Sequence, residues 1–417
     1  MVRSVLVLNS GSSSLKYALY NLKQTAICIC KGAIDGIGSS RCSISHKNLQ
    51  VGQNVKMQGN AVVDHSTGLK KVLELLHLDK GHTDNVCAVG HRVVHGGEQL
   101  TKPVLVTNDV KKAIEKAVPL APLHNPSNLE GIRVAEELLT CPQVAVFDTA
   151  FHSTIPPYAY MYALPYSYYE ELGLRRYGFH GTNHAYILGQ VAQHLAKPKE
   201  ELNVIACHLG AGASLAAIKE GVCIDTSMGV TPLEGLVMAT RSGDIDPAIF
   251  EILESSKGMS ITQISNMLNK ESGLYGICGE KDMRTVIELS EAGSEKHKLA
   301  LQVYVYRIRK YLGAYYLNLG GRVDAVLFSG GIGERSASVR QMVCSNLEML
   351  GLIVDQCKNQ VEGNGLQEIQ AETSRIKVLT VPADEELAIA QQTLEVVQES
   401  ALATTEKSEN LASANKN

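Results

Sequence analysis

Several features are missing from this 417-residue chain, and each absence narrows what it can be. It has no block of like charge. Its 39 Lys and Arg alternate with 43 Asp and Glu, for a formal net charge of -4 and a pI near 6.4, so nucleic acid is not an expected partner. It has no long apolar run at its start: Val5 to Leu8 is interrupted by Asn9, too short for a signal h-region or a membrane span. None of its ten cysteines forms a CxxC pair. They are scattered, mostly in apolar runs such as Val204-Ile205-Ala206-Cys207, as small buried hydrophobes are in a reducing compartment. A cytosolic protein without a membrane or nucleic-acid partner is expected.

A P-loop is also missing, although a Gly/Ser cluster with a lysine is present near the start. Val5 to Tyr20 reads VLVLNSGSSSLKYALY, a Gly/Ser cluster followed by Lys16. A P-loop needs a second glycine, then Lys and Ser or Thr opening a helix. Here the continuation Leu15 to Tyr20 is short and rich in strand formers, so the stretch reads as strand, tight turn, strand. The same grammar returns about 200 residues later in VIACHLGAGASLAAI, Val204 to Ile218, which suggests two related halves. Two such turns can offer backbone N–H groups to an anion, in an interdomain cleft. A third glycine cluster, Ser329-Gly330-Gly331-Ile332-Gly333-Glu334, follows an apparent strand and precedes a helix, where α/β folds bind nucleotide. Helical periodicity over 69–78, 129–139, 185–195, 282–319 and 336–350 alternates with apolar β-rich runs, which predicts an α/β protein. The length suits two domains. Residues 401–417, nearly without large apolar side chains, read as a disordered tail.

The motifs then resemble those of the acetate kinases, in the superfamily of sugar kinases, actin and the large ATP-driven chaperones. The matching stretches are NSGSSSLKY (Asn9 to Tyr17), GHRVVHGG (Gly90 to Gly97), APLHNP (Ala121 to Pro126), VFDTAFH (Val146 to His152), RRYGFHGTNH (Arg175 to His184), HLGAGAS (His208 to Ser214), DTSMGVTPLEGLVMATRSGDIDP (Asp225 to Pro247), SGGIGE (Ser329 to Glu334) and DEELAIA (Asp384 to Ala390). They follow the family's order over nearly the whole chain. The resemblance implies two duplicated actin-like (ribonuclease H-like) α/β domains with the active site between them. The first would cover 1–150 and be joined by the C-terminal helix from about 385 to 400; the second, 151–384, would carry the nucleotide site and a homodimer interface. The implied reaction is reversible phosphoryl transfer between ATP and acetate, giving acetyl phosphate and ADP, with Mg2+ or Mn2+.

A carboxylate is already an anion at neutral pH and needs no strong base to attack phosphorus. It needs charge management, because both reactants are negative, and arginine's planar fork suits a carboxylate or phosphoryl oxygen. By resemblance, Arg92 and Arg241 are the active-site arginines, His180 bonds the phosphoryl group in the transition state, and Asp148 acts near metal and acetate. Asn9 and Glu385 match the metal pair. Val94, Leu123, Phe179 and Pro232 would line a small apolar acyl pocket. Ser12, Ser14, Lys16, His208, Gly210, Gly212, Asp282, Arg284, Gly330, Gly331, Ile332 and Gly333 would serve phosphate or nucleotide, and His124 and His184 would hold architecture.

The chain departs from the family pattern at five places. Ala211 and Arg335 stand where asparagines are usual, and Ser329, Ala383 and Asp384 where Thr, Thr and Asn are commoner. The first two put the phosphoryl donor in question. Three alternatives stay open beside acetate kinase: a propionate or butyrate kinase with a larger pocket, a pyrophosphate-linked enzyme, and a non-catalytic ATP-binding switch.

Overall fold

The computed structural model describes residues 4–23, 26–59, 62–78, 86–361, 363 and 365–414, with side chains to residue 403. The chain divides into two compact units, one of residues 1–150 and 384–417, the other of 151–383.

In the first unit the strands are β1 (Ser4–Gly11), β2 (Ser14–Leu22), β3 (Ala26–Asp35), β4 (Ser43–Asn48), β5 (Asn54–Gln58), β6 (Val86–Val93), β7 (Val104–Leu105) and β8 (Gln143–Phe147). They form one mixed sheet in the order β5-β4-β3-β2-β1-β6-β8-β7. The second unit holds β9 (Val204–Leu209), β10 (Ala213–Lys219), β11 (Val222–Thr226), β12 (Ala325–Ser329), β13 (Gln367–Glu368) and β14 (Lys377–Thr380), in the order β11-β10-β9-β12-β14-β13. In each sheet, two antiparallel hairpin joins (β1–β2–β3 and β9–β10–β11) give way to two parallel joins (β1–β6–β8 and β9–β12–β14). The halves are one α/β plan used twice.

Why the first strand is apolar without alternation follows from its position. Leu6 and Leu8 pack into a core with Leu69, Val72 and Leu76 of the helix His65–Leu78. Val5 and Val7 face the other way, against Ile389 and Ala390 of the helix Glu385–Ala414. A strand covered on both faces reads as a continuous hydrophobic run. That second helix comes so close that a Cβ on Gly90 of β6 would lie 2.3 Å from Thr393 Oγ1, which leaves no room for a side chain there. In the second unit, Val204 and Ala206 pack with Ile187, Leu188 and Val191 of the helix Gly181–His194.

Two expectations change. The helix that begins at Glu385 continues to Ala414, so 401–414 is helical where a disordered tail was expected; 415–417 lie outside the described residues. Those residues lack Gly and Pro, and extending a helix already nucleated on a packed half costs little. The segment 282–319 is two helices, Met283–Glu291 and Glu295–Asn318, separated at Gly293, whose φ of 92° is a left-handed geometry that ends the first. All ten cysteines are free thiols, five of them buried. No described helix is long and apolar enough to cross a membrane.

Candidate functional site

In the first unit, parallel strands β6 and β8 end side by side, with Val93 opposite Phe147. Asp148 follows β8, and its N–H donates to Val93 O at 3.0 Å. This sets Asp148 beside Arg92. The guanidinium Nε donates to Oδ1 at 3.0 Å and Nη2 to Oδ2 at 2.6 Å, a bidentate pair in which the Asp148 side chain is 2% exposed and that of Arg92 22%. Burial alone would lower the Arg92 pKa, but Asp148 and Glu385 outweigh it and hold the guanidinium charged. Glu385, at the start of the C-terminal helix, has its carboxyl pushed up by burial and by Asp148, against the pull of Arg92 and Lys16. Lys16, Arg92, Asp148 and Glu385 therefore form one electrostatic group drawn from β2, β6, the end of β8 and the last helix.

Asn9 stands directly opposite Lys16 in the β1–β2 pair, and the turn beyond them is Ser12-Ser13, closed by Gly11 against Ser14. Ser12 is exposed and Ser14 half-buried. Val94 is buried at the end of β6, whereas Leu123 is 61% exposed. The donors available here are oxygens, which suit a hard divalent cation. Asp148 is engaged by Arg92, leaving the Asn9 amide oxygen and the half-buried Glu385 carboxylate, whose raised pKa a cation would offset. No group of three or more His, Cys, Asp or Glu able to hold a metal occurs among the described residues. An ion bound by two side chains takes the rest of its shell from substrate and water, as magnesium commonly does.

In the second unit the turn β9–β10 is Gly210-Ala211-Gly212, and the glycine cluster after β12 opens a short helix, Gly330–Arg335. The two are adjacent. Gly330 has φ 75°, and a Cβ there would lie 2.7 Å from Leu209 O, so only glycine fits. His180 precedes the helix Gly181–His194 with φ 58°, unusual for a side-chain-bearing residue, and its ring stacks on His208 at 4.2 Å. Its Nδ1 lies 2.9 Å from Ser214 Oγ, and His184 Nε2 lies 2.9 Å from the same oxygen. Asn183 Nδ2 reaches His208 Nδ1 at 2.8 Å and donates to Ser329 Oγ at 3.2 Å. A Cβ on Gly212 would stand 3.4 Å from both His180 Nε2 and Arg241 Nη1, so the imidazole and guanidinium converge on that turn. Burial lowers the Arg241 pKa. Its loop is tied to the turn by Ala239 N–H donating to Ala211 O at 3.1 Å.

Other expected residues stand apart from this convergence or engage each other. Phe179 is buried, with its carbonyl 2.9 Å from His152 Nε2, and Pro232 is half-buried. Asp282 caps the helix Met283–Glu291 and forms a bidentate pair with Arg284, both side chains exposed. Gly331 is exposed, Ile332 half-buried and Gly333 buried; Arg335 and Ala211 are exposed.

Reasoning from charged chemistry missed the residues that hold this geometry. Asn128 accepts from Val94 N–H at 3.0 Å and donates to Ser10 O at 2.7 Å, joining the ends of β6 and β1. Asn125 accepts from His95 N–H and donates to its carbonyl. Arg176 donates to the carbonyls of Thr226, Ser227 and Met228 and pairs with Glu234, bracing the loop that leads to Arg241. The signal was present, since Asn125, Asn128 and Arg176 lie in or beside quoted motifs, but a buried amide looks no different in sequence from an exposed one.

Comparison with known proteins agrees with this architecture. The model of the acetokinase family matches residues 4–391. The acetate kinase of Halothermothrix orenii is 47% identical over 400 residues, covering 94% of this chain and 99% of that protein. The crystal structure of Porphyromonas gingivalis acetate kinase superposes with a TM-score of 0.90 at 39% identity, covering 95% of this chain and all of the other. A propionate kinase from Francisella tularensis gives 0.89 at 41% identity, covering 94% and 100%.

Proposed function

The chain belongs to the acetokinase family, and from that premise we propose that it is an acetate kinase, transferring the γ-phosphoryl group of ATP reversibly to acetate. An acetate oxygen forms a bond to the γ-phosphorus as the bond from that phosphorus to the bridging oxygen of ADP breaks. ADP leaves with the electron pair, and no proton moves. The observation that carries this reading is the convergence of His180 Nε2 and Arg241 Nη1 on the Gly212 turn, two donor groups arranged around the place an anion would take.

Each residue then has a role within the proposal. Arg92, fixed by Asp148, holds the acetate carboxylate, and the apolar residues assigned to the methyl group are Val94 and Leu123 of the first unit and Phe179 and Pro232 of the second. His180 and Arg241 stabilise charge on the phosphoryl oxygens in flight. Ser12, Ser14, Lys16, His208, Gly210 and Gly212 take phosphate, while Asp282, Arg284, Gly330, Gly331, Ile332 and Gly333 take nucleotide. Asn9 and Glu385 would hold Mg2+ or Mn2+, which when bound offsets the charge of the ATP phosphates. The proposal extends to a cytoplasmic homodimer formed through the second unit, supported by the free thiols and by exposed Tyr158, Tyr166 and Leu172 in that unit.

The test is acyl phosphate formation, trapped with hydroxylamine, from purified protein, magnesium, ATP or else pyrophosphate as donor, and in turn acetate, propionate and butyrate, with Arg241→Ala as control. Activity strongest with acetate and lost in the variant is expected. Preference for propionate would favour the reading suggested by the Francisella tularensis neighbour. Activity only with pyrophosphate would make Ala211 and Arg335 marks of a changed donor, and silence with every donor would refute catalysis.

A further inference from the structure

His180, Ser214 and His184 form a hydrogen-bonded chain in which one hydroxyl group bridges two imidazoles. Ser214 and His184 are both wholly buried. A hydroxyl donates once, and Ser214 Oγ has no other hydrogen-bond partner among the described residues, so accepting from both imidazoles would orphan its own buried hydrogen; it donates to one of His180 and His184 and accepts from the other. The choice sets which nitrogen of His180 carries its proton. If Ser214 donates to His184, then His180 Nδ1 must donate to Ser214, and His180 Nε2 is the unprotonated ring nitrogen facing the Gly212 turn. If His184 Nε2–H donates to Ser214, the hydroxyl donates to His180 Nδ1, and the His180 proton stands on Nε2.

His184 decides between them. Its Nδ1 is buried with no hydrogen-bond partner among the described residues. In the first arrangement that atom would be an orphaned N–H; in the second it is only an unused lone pair. Orphaned buried N–H groups are the rarer defect in folded proteins. A charged His184 would carry an N–H at both nitrogens and is disfavoured by the same burial, reinforced by His152 and His208.

We infer that His184 and Ser214 are positioning residues that hold His180 as the Nε2–H tautomer, so that it presents a donor beside Arg241. The inference rests on the proposed phosphoryl transfer for its purpose. An Nε2–H meets a phosphoryl oxygen as a donor, whereas the opposite tautomer would meet it lone pair to lone pair. Orientation of the chain, and not merely the presence of a histidine, then supplies the transition-state contact.

The experiment is long-range 1H–15N correlation NMR on protein labelled at the histidine ring nitrogens, without substrate, using His180→Gln to identify the His180 signals. Wild type is expected to show His180 protonated at Nε2, and Ser214→Ala to lose that single form. In hydroxylamine-trapping assays Ser214→Ala should lower kcat about ten- to a hundredfold, the scale of one transition-state hydrogen bond, with KM for acetate and ATP nearly constant. Ser214→Thr should recover most of the loss. A wild-type His180 protonated at Nδ1, or a spectrum unaltered by Ser214→Ala, would overturn the inference. If the variants do not fold, the wild-type spectrum alone decides. Absence of acyl phosphate from wild type would refute the proposed function and leave the tautomer result standing.

Discussion

Replacing Gly212 with alanine separates stability from activity. Gly212 is not among the glycines with positive φ, so its backbone accepts a side chain without strain. The new methyl would lie 3.4 Å from Arg241 Nη1, His180 Cε1 and His180 Nε2, in ordinary contact with no clash. Folding should be preserved or slightly favoured, because Gly→Ala at a compatible site stabilises by about 0.4–1 kcal/mol through the unfolded chain. The same methyl occupies the point on which both donors converge. A phosphoryl oxygen displaced from it loses two charge-assisted hydrogen bonds at roughly 1.5–3 kcal/mol each, and about 3–6 kcal/mol corresponds to about 10²–10⁴ in kcat/KM. Hydroxylamine trapping would measure the loss and differential scanning calorimetry the stability. A variant that melts like wild type and retains acyl phosphate formation within about threefold would refute the convergence of His180 and Arg241 as the phosphoryl site.

Two further outcomes follow from the first unit. His91, 2% exposed and 2.7 Å from Gln143 Oε1, has its pKa pushed down to about 4 by burial, against a partial opposing effect of that hydrogen bond. Between about pH 6.5 and 4 the unfolded imidazole takes up a proton that the folded one refuses, so stability falls as pH falls through that window; the contribution reaches ~3 kcal/mol below it. Urea denaturation across that range should give a shallower pH slope for His91→Gln than for wild type, and equal slopes would show that His91 is not a source of acid sensitivity. Val94→Ala enlarges the proposed acyl pocket next to Arg92. Since one methylene is worth about 1–3 kcal/mol, the ratio of kcat/KM for propionate to that for acetate should rise about tenfold, and a ratio that does not move would remove Val94 from the pocket.

Much of the fold was legible because its signals are local. Val5 to Leu8 and Val204 to Cys207 read as buried strands, and the turns that follow them are hairpins closed by Gly11 against Ser14 and by Leu209 against Ala213. The break at Gly293 and the helix beyond 400 were misread for opposite reasons. One left-handed glycine interrupts a periodicity that otherwise continues, while a helix needs large apolar residues only where it packs. Among the candidate residues, Arg92, Asp148, His180 and Arg241 were chosen by motif; that Arg92 and Asp148 are bidentate partners appears only where β6 and β8 end in register.

By itself the sequence determined the α/β class, the repeated strand-turn-strand plan and the family. These depend on apolar periodicity, glycine placement and ordered motifs, all of which act over a few residues at a time. The tertiary structure alone decided which polar groups hold which. Asn128 joins strand ends whose residues lie 118 and 34 positions away, Ser214 meets histidines 34 and 30 positions away, and Glu385 joins Lys16, Arg92 and Asp148 from the far end of the chain. Hydrogen bonds and charges act over a few ångströms of space, and only the folded sheets bring such distant residues within that reach.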